Sequence, residues 1–562
     1  MKKKILFLLA ILFITSPVKS QTDIDHNLKI NKNLEIFNSI YKKLDMMYVD
    51  SIDADKTIGI AINSMLRSLD PYTVYYPEDD DKELKFMITG KYGGIGSVVR
   101  YSLKHDKVII EEPYANTPAA EAGLRKGDII LCINDTSMAG KNVSQVSDKL
   151  RGEAGSTFKL EILRPTTNKK MTFDITRRAI NQPAVPYYGM IDDKIGYIRL
   201  VSFTEGCAKK TKDAFLSLKE QGMQSLIFDL RSNGGGSESE AADIVGMFIP
   251  QNSVVVSNKG KMKRTNHDYT TNEAPLDTEM PIVLLVDDET ASASEITSGA
   301  LQDLDRGVVM GTKTFGKGLV QMTTGLPHNG TMKFTTSKYY IPSGRCIQAI
   351  DYRKNAAEKD TTKTANIFYT KNGRPVKDGG GIEPDVKIIP DTIPNIAFYL
   401  SMSAVDSTDV MNEYIVDYVY KHKTIAPARN FSITDKDYEE FKKRVIESGF
   451  NYDPQTKKVV TELEKLARFE GYYDDAKEEF ENLKKKLTHN LAKDLETSKK
   501  DIVNFINNTI VRCYYYQEGG IENMLDSDKF ITEARKLLND PERYNNILKP
   551  KAEDKKKNAS KK

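Results

Sequence analysis

The sequence predicts a multidomain chain of the α/β plus β class: an N-terminal helical segment, a small strand-rich β domain, an α/β core with a largely parallel sheet, and a C-terminal helical domain. Three observations predict it. Apolar residues recur at helical spacing near both ends of the chain, and short strands punctuated by glycine fill residues 89–178. Residues 179–404 alternate continuous apolar strands with helical stretches, which implies crossover units around a buried sheet. A length of 562 residues gives room for three or four domains of about 150 residues each.

Residues 1–20 read as a signal peptide. Met1-Lys2-Lys3-Lys4 is a basic start, and Ile5 to Ile14 is an unbroken apolar run too short to span a bilayer. Val18 and Ser20 stand where a signal peptidase takes small residues, so an exported chain with no stable membrane insertion after signal removal is expected. An uncleaved anchor is the alternative. In residues 25–88, Leu34, Phe37, Ile40, Leu44 and Met47 fall at helical spacing, as do Ile58, Ile62, Met65 and Leu66. Pro71 then ends the second helix by disfavouring helical geometry at Asp70.

Val108–Ile110, Asp128–Ile133 and Phe158–Leu163 are the clearest strands of the β domain, and Val143–Leu150 is its helix. In the core, Ile195–Val201, Ser225–Leu230 and Ile282–Val286 read as strands. Helices are expected over Cys207–Lys219, Glu238–Phe248 and Ser292–Leu304. Residues 405–550 are helical and charge-laced, with Leu463, Leu466, Leu483, Leu487, Leu491 and Leu495 expected on inner faces. Residues 551–562 are a lysine-rich tail of disordered composition.

Composition narrows function. A net charge of +3 from 82 basic and 79 acidic residues gives no overall pull toward nucleic acid. Four cysteines without a CxxC pair make neither a disulfide framework nor a zinc site. No metal, nucleotide or redox cofactor is expected.

In an open α/β sheet, ligands meet the carboxyl ends of strands, so those junctions carry the candidate chemistry. The first is Asp229-Leu230-Arg231-Ser232-Asn233-Gly234-Gly235-Gly236, whose glycines free the backbone to point N–H groups at a substrate oxygen. A flexible connector is the alternative. The second is Thr290-Ala291-Ser292-Ala293-Ser294-Glu295, where a helix-start serine flanked by small residues suits a nucleophile. Its neighbour Ala293 would offer an N–H to an oxyanion. Here Ser292-x-x-Glu295 also fits a capping box.

A nucleophilic serine needs a base. None of the six histidines lies in either junction. Phe315-Gly316-Lys317-Gly318 instead places a lysine between two glycines at a strand start, with Gln321 four residues on to orient its amine. Such a lysine must be neutral, so its pKa has to fall from about 10.4 toward about 7–8, at about 1.4 kcal/mol per unit. A solvated turn is the alternative reading.

Taken together, these segments resemble the carboxy-terminal processing peptidases, or tail-specific proteases. Asp229–Gly236 resembles the family's glycine-rich oxyanion segment, Ala291–Ile296 with Gly299–Asp303 its nucleophile segment, and Thr314–Gln321 its lysine segment. The resemblance implies Ser292 as nucleophile, Lys317 as general base, Gln321 as its orienter, and Gly235 and Ala293 as oxyanion donors; the choice among Gly234, Gly235 and Gly236 stays open. Tyr339–Arg345 and Gly381–Asp385 match downstream segments for which a structural role is expected.

The strand-rich domain is similar to a PDZ domain. Tyr92-Gly93-Gly94-Ile95-Gly96 resembles its carboxylate-binding loop, and Pro118–Asp128 its turn-and-strand signature. The resemblance implies that Gly93, Gly94, Ile95 and Gly96 cradle a C-terminal carboxylate while the tail adds as a strand. The reading is an exported, periplasmic serine endopeptidase acting on protein substrates with accessible C-termini, with a homodimer open to it. The alternative is a non-catalytic tail-binding scaffold on the same fold.

Overall fold

The computed structural model describes residues 18–78, 82–352, 365–402, 407–452, 455–487 and 490–550. The expected signal peptide up to Pro17 and the lysine-rich tail 551–562 lie outside them; residues 18–20 open a helix. Two compact bodies make up the chain, one of the residues up to Glu78 with Thr323–Phe334, the other of Asp79–Met322 with the residues from Thr335 onward.

In the first body, the helices Val18–Met47 and Ala54–Arg67 follow the predicted spacing. Asp70 then accepts from the backbone N–H of Tyr72 and Thr73, so Asp70-Pro71 turns the chain into the strand Val74–Tyr76. That strand pairs antiparallel with residues 331–333, a long-range pairing that the local pattern did not carry.

In the second body, the core sheet has six strands in the order Tyr187–Met190, Ile195–Arg199, Ser225–Asp229, Ile282–Val286, Val308–Gly311 and Val386–Lys387. All neighbours are parallel except the first pair. Ser225–Asp229 and Ile282–Val286 are buried along their whole length, which is why they are continuously apolar. One face packs against the helices Cys207–Glu220, Glu238–Gly246 and Ala293–Asp303. The other face, including Tyr197, Ile227 and Leu285, is covered by Phe530, Ile531 and Leu537 of the helix Lys529–Leu538 and by Tyr544. The last helices therefore complete the core. The downstream segments are structural: Arg345 is buried against Asp303 at 2.8 Å, and Asp385 accepts from the Val309 N–H.

The strand-rich domain is an antiparallel sheet in the order Ser97–Ser102, Lys107–Pro113, Ile129–Ile133, Thr157–Arg164, Lys169–Thr176. Ser97–Ser102 is its edge strand, and the helix Val143–Leu150 lies beside it. Helices from Asn395 to Met524 build a separate core around Tyr438, Phe441 and Ile506. This helical region holds the strand-rich domain: Asp409 pairs with Arg100 at 2.8 Å, and Arg512 grips the Glu112 carboxylate through two nitrogens.

The helical hairpin Gln455–Glu470 and Lys477–Leu487 departs from expectation. Its small core is Val460, Tyr473 and Phe480, so Leu463, Leu466 and Leu483 point outward and are exposed, whereas Leu495 is fully buried in the larger core. Periodicity finds an apolar stripe but does not say that a two-helix hairpin covers only part of it.

Candidate active site

The carboxyl ends of the strands ending at Asp229, Val286 and Gly311 bring three loops together. The first is the glycine loop, the second carries Ser292 and the third carries Lys317. Ser292, Lys317, Gln321 and Gly234–Gly236 all line one cavity of about 560 Å³, with Glu238, Tyr269 and Leu319 among its other walls.

Ser292 sits at φ +57°, a backbone region costly for any residue but glycine, immediately before the helix Ala293–Asp303. Ser292 and Glu295 form the capping box that their spacing suggested. The Glu295 N–H also goes to the Ser292 carbonyl oxygen at 2.8 Å. The strained turn is held by its neighbours. The Ser292 N–H donates to Glu295 at 2.9 Å, the buried Tyr339 hydroxyl donates to the Ser292 carbonyl at 3.3 Å, and the Ala291 N–H donates to the Asn233 carbonyl at 3.0 Å.

Glu295 is the residue whose role the sequence did not disclose. Oε2 accepts from the backbone N–H of Ser292 and of Lys317, each at 2.9 Å. Oε1 accepts from the Thr314 hydroxyl at 2.5 Å and the Gly316 N–H at 2.8 Å. One fully buried carboxyl thus ties the serine turn to the lysine loop. Burial pushes it up to about 7 although its four donors pull the other way. Only the capping pattern hinted at it.

Asn233 does the same for the glycine loop. It is fully buried; its Nδ2 donates to the Leu200 carbonyl, and its carbonyl accepts from Ala291 and from the Ser294 hydroxyl. Its Oδ1 accepts the Gly235 N–H at 2.9 Å. Gly235 thus spends its N–H inside the loop, while among the described residues those of Gly234, Gly236 and Ala293 have no acceptor. Beneath the loop, the buried Asp229 carboxylate takes the guanidinium groups of Arg231 and Arg199 and the Tyr197 hydroxyl. Burial alone would raise its pKa, but the two arginines outweigh it and hold it well below the carboxylate range.

Lys317 is half-buried and precedes the strand Leu319–Gly325, on which Gln321 lies. The Gln321 amide nitrogen donates to the Leu319 carbonyl at 3.1 Å and to the Thr335 hydroxyl at 3.2 Å, contacts that fix the side chain beside the lysine loop.

In the strand-rich domain, Tyr92-Gly93-Gly94-Ile95-Gly96 turns from the strand Lys91–Gly94 into the edge strand Ser97–Ser102. A side chain at Gly93 would meet the Gly152 carbonyl at 2.0 Å, so only glycine lets the two backbones approach. Among the described residues the N–H groups of Ile95 and Gly96 have no backbone acceptor, and the Ile95 side chain is buried.

Comparison with known proteins gives the family. Residues 194–356 match peptidase family S41, residues 109–164 a PDZ domain, and residues 401–538 the C-terminal helical domain of probable PDZ-proteases. A carboxy-terminal-processing protease of Bartonella bacilliformis is 33% identical over 357 residues, which cover 62% of this chain and 81% of that protein. The chain belongs to this family.

A probable CtpA-like serine protease of Staphylococcus aureus is 30% identical over 67% of the chain and 73% of the relative. The solved photosystem II D1 C-terminal processing protease is 27% identical over 64% of this chain and 88% of that one, with a TM-score of 0.35. The chain is therefore a serine peptidase with a PDZ domain and a helical C-terminal domain. No helix among the described residues is long and apolar enough to cross a membrane.

Proposed function

We propose that this peptidase is an endopeptidase that reads the C-terminal tail of protein substrates and cuts with a Ser292–Lys317 dyad. The observation that carries the reading is the Glu295 carboxyl, which holds the backbones of both dyad residues at 2.9 Å beside a shared cavity. Neutral Lys317 takes the Ser292 hydroxyl proton as Oγ bonds to the substrate carbonyl carbon. The oxyanion is received by the Ala293 N–H and an N–H of the glycine loop. Gly235 serves there once Asn233 Oδ1 releases or shares its proton; Gly234 and Gly236 compete for the same role. As the C–N bond breaks, the Lys317 ammonium gives its proton to the leaving amine. Water then hydrolyses the acyl-enzyme, its proton returning through Lys317. Gln321 steadies the lysine loop.

The tail docks on Gly93, Gly94, Ile95 and Gly96; the N–H groups of Ile95 and Gly96, without a backbone acceptor among the described residues, meet its carboxylate, and the edge strand Ser97–Ser102 is its pairing partner. The basic, apolar start of the sequence supports export, and the family resemblance favours the periplasm. The helix Val18–Met47 leaves Leu34, Phe37, Ile40 and Leu44 exposed, which supports a homodimer through that face. Cleavage of an unfolded polypeptide with an apolar tail, compared with its C-terminal amide, tests the tail reading. A rise in KM for the amide is expected; equal KM values reject it.

A further inference from the structure

The cavity at Ser292 has an acidic wall that the dyad chemistry leaves unused. Glu238, the first residue of the helix Glu238–Gly246, lines it next to Tyr269 and Lys317. Among the described residues its carboxylate forms no ion pair, and it accepts one hydrogen bond, from Nδ2 of Asn258 at 2.7 Å. Asn258 is itself buried. Burial raises the Glu238 carboxyl above its ordinary value, against the pull of the Asn258 hydrogen bond and of the neighbouring His267 and Lys317. The wall therefore offers a carboxylate acceptor that holds a single neutral donor, and burying it without a further donor is costly.

A head group with several donors and a positive charge meets that need. An ammonium brings three donors and a guanidinium five. Phe86, Met87, Leu319 and Val320 supply apolar surface for the aliphatic stem of such a side chain. Glu238 also lies two residues beyond Gly236, at the end of the glycine loop that carries the candidate oxyanion donors. The side chain of the residue whose carbonyl is attacked therefore reaches this wall first.

Resting on the dyad reading, we propose that Glu238 makes the cavity a subsite for lysine or arginine at the residue that supplies the scissile carbonyl. The test uses peptides that share one apolar tail and differ only at that residue: lysine, arginine, norleucine or glutamate. They are presented to the unmodified protein, Glu238→Gln, Glu238→Leu and Ser292→Ala, with cleavage sites read by mass. The unmodified protein should favour lysine and arginine over norleucine by about tenfold in kcat/KM, with glutamate poorest. Glu238→Gln should flatten that preference and Glu238→Leu should reverse it toward norleucine. An unmodified protein that prefers norleucine overturns the proposal without any variant having to fold. An identical profile in Glu238→Leu overturns it as well. If Ser292→Ala alone abolishes cleavage while the profile ignores Glu238, the peptidase reading stands and the subsite falls; cleavage persisting in Ser292→Ala removes the dyad reading itself.

Discussion

Adding one methyl group at Gly235 should disable the site, while the same change one residue earlier should not. Gly235 sits at φ +96°, and a Cβ there would lie 2.7 Å from the Ala291 carbonyl oxygen, 2.7 Å from Ser292 Cβ and 2.8 Å from the Ala293 nitrogen. Ordinary contact begins at 3.4 Å, so the serine turn must retreat by roughly 0.7 Å. A misplacement of that size at a reacting atom costs on the order of a hundredfold in rate. The positive φ adds about 1–2 kcal/mol of backbone strain. A Cβ on Gly234 meets nothing within 4 Å.

Gly234→Ala should therefore keep kcat within about threefold and stability within about 0.5 kcal/mol, since no named destabilising mechanism applies. Gly235→Ala retains the backbone N–H, so its loss would report geometry and not a missing donor. Steady-state cleavage of a tail-bearing peptide gives the rates, and urea unfolding gives the stabilities. Near-normal kcat in Gly235→Ala, or equal damage in both variants, would refute the steric argument.

Glu295→Gln presents one oxygen and one amide to four donors, leaving two unsatisfied, and should cost about 2–6 kcal/mol in urea unfolding together with most of the activity. Because the folded Glu295 carboxyl is raised from 4.5 to about 7, its contribution to stability is full below about pH 4.5 and is lost as pH rises through 7, by about 3 kcal/mol. That slope should be missing from Glu295→Gln. Asp229→Asn leaves Arg199 and Arg231 without their buried anion and should cost about 3–5 kcal/mol. The depressed Asp229 carboxyl contributes above its unfolded value of 3.8 and loses that contribution only as pH falls below it, which acid titration of unfolding would reveal. Removing residues 526–550 uncovers Tyr197, Ile227 and Leu285 and forfeits the side chains of Phe530, Ile531, Leu537 and Tyr544, each contributing about 1.5–3 kcal/mol. Insoluble protein or a lost cooperative melt is the expected result, and a soluble, active truncation would show that the last helices are dispensable.

Local pattern carried the parts of the fold that repeat locally. Ser225–Asp229 and Ile282–Val286 are legible because a strand buried on both faces must be apolar throughout, and Val143–Leu150 because its Asn142–Gln145 capping box is built from neighbours. The pairing of Val74–Tyr76 with residues 331–333 and the packing of Lys529–Leu538 on Ile227 and Leu285 depend on chain segments hundreds of residues apart, and no local signal encodes them. At the site, Ser292, Lys317 and the glycine loop were visible as strand-end residues of the right chemistry. What distinguishes Ser292 from an ordinary helix cap is its positive φ, which is not written in the letters. The roles of Glu295, Asn233 and Tyr339 were not legible because they consist in holding backbone groups of other loops.

The central claim is tested most directly by trapping the covalent intermediate. A tail-bearing substrate is mixed with the protein, quenched in acid within milliseconds, and the intact mass and its proteolytic fragments are read. The dyad account predicts an added acyl mass confined to the fragment that carries Ser292. That mass should be absent from Ser292→Ala and should form far more slowly in Lys317→Ala, both variants remaining folded. An acyl mass on another residue, or full-rate cleavage by Ser292→Ala, would contradict it.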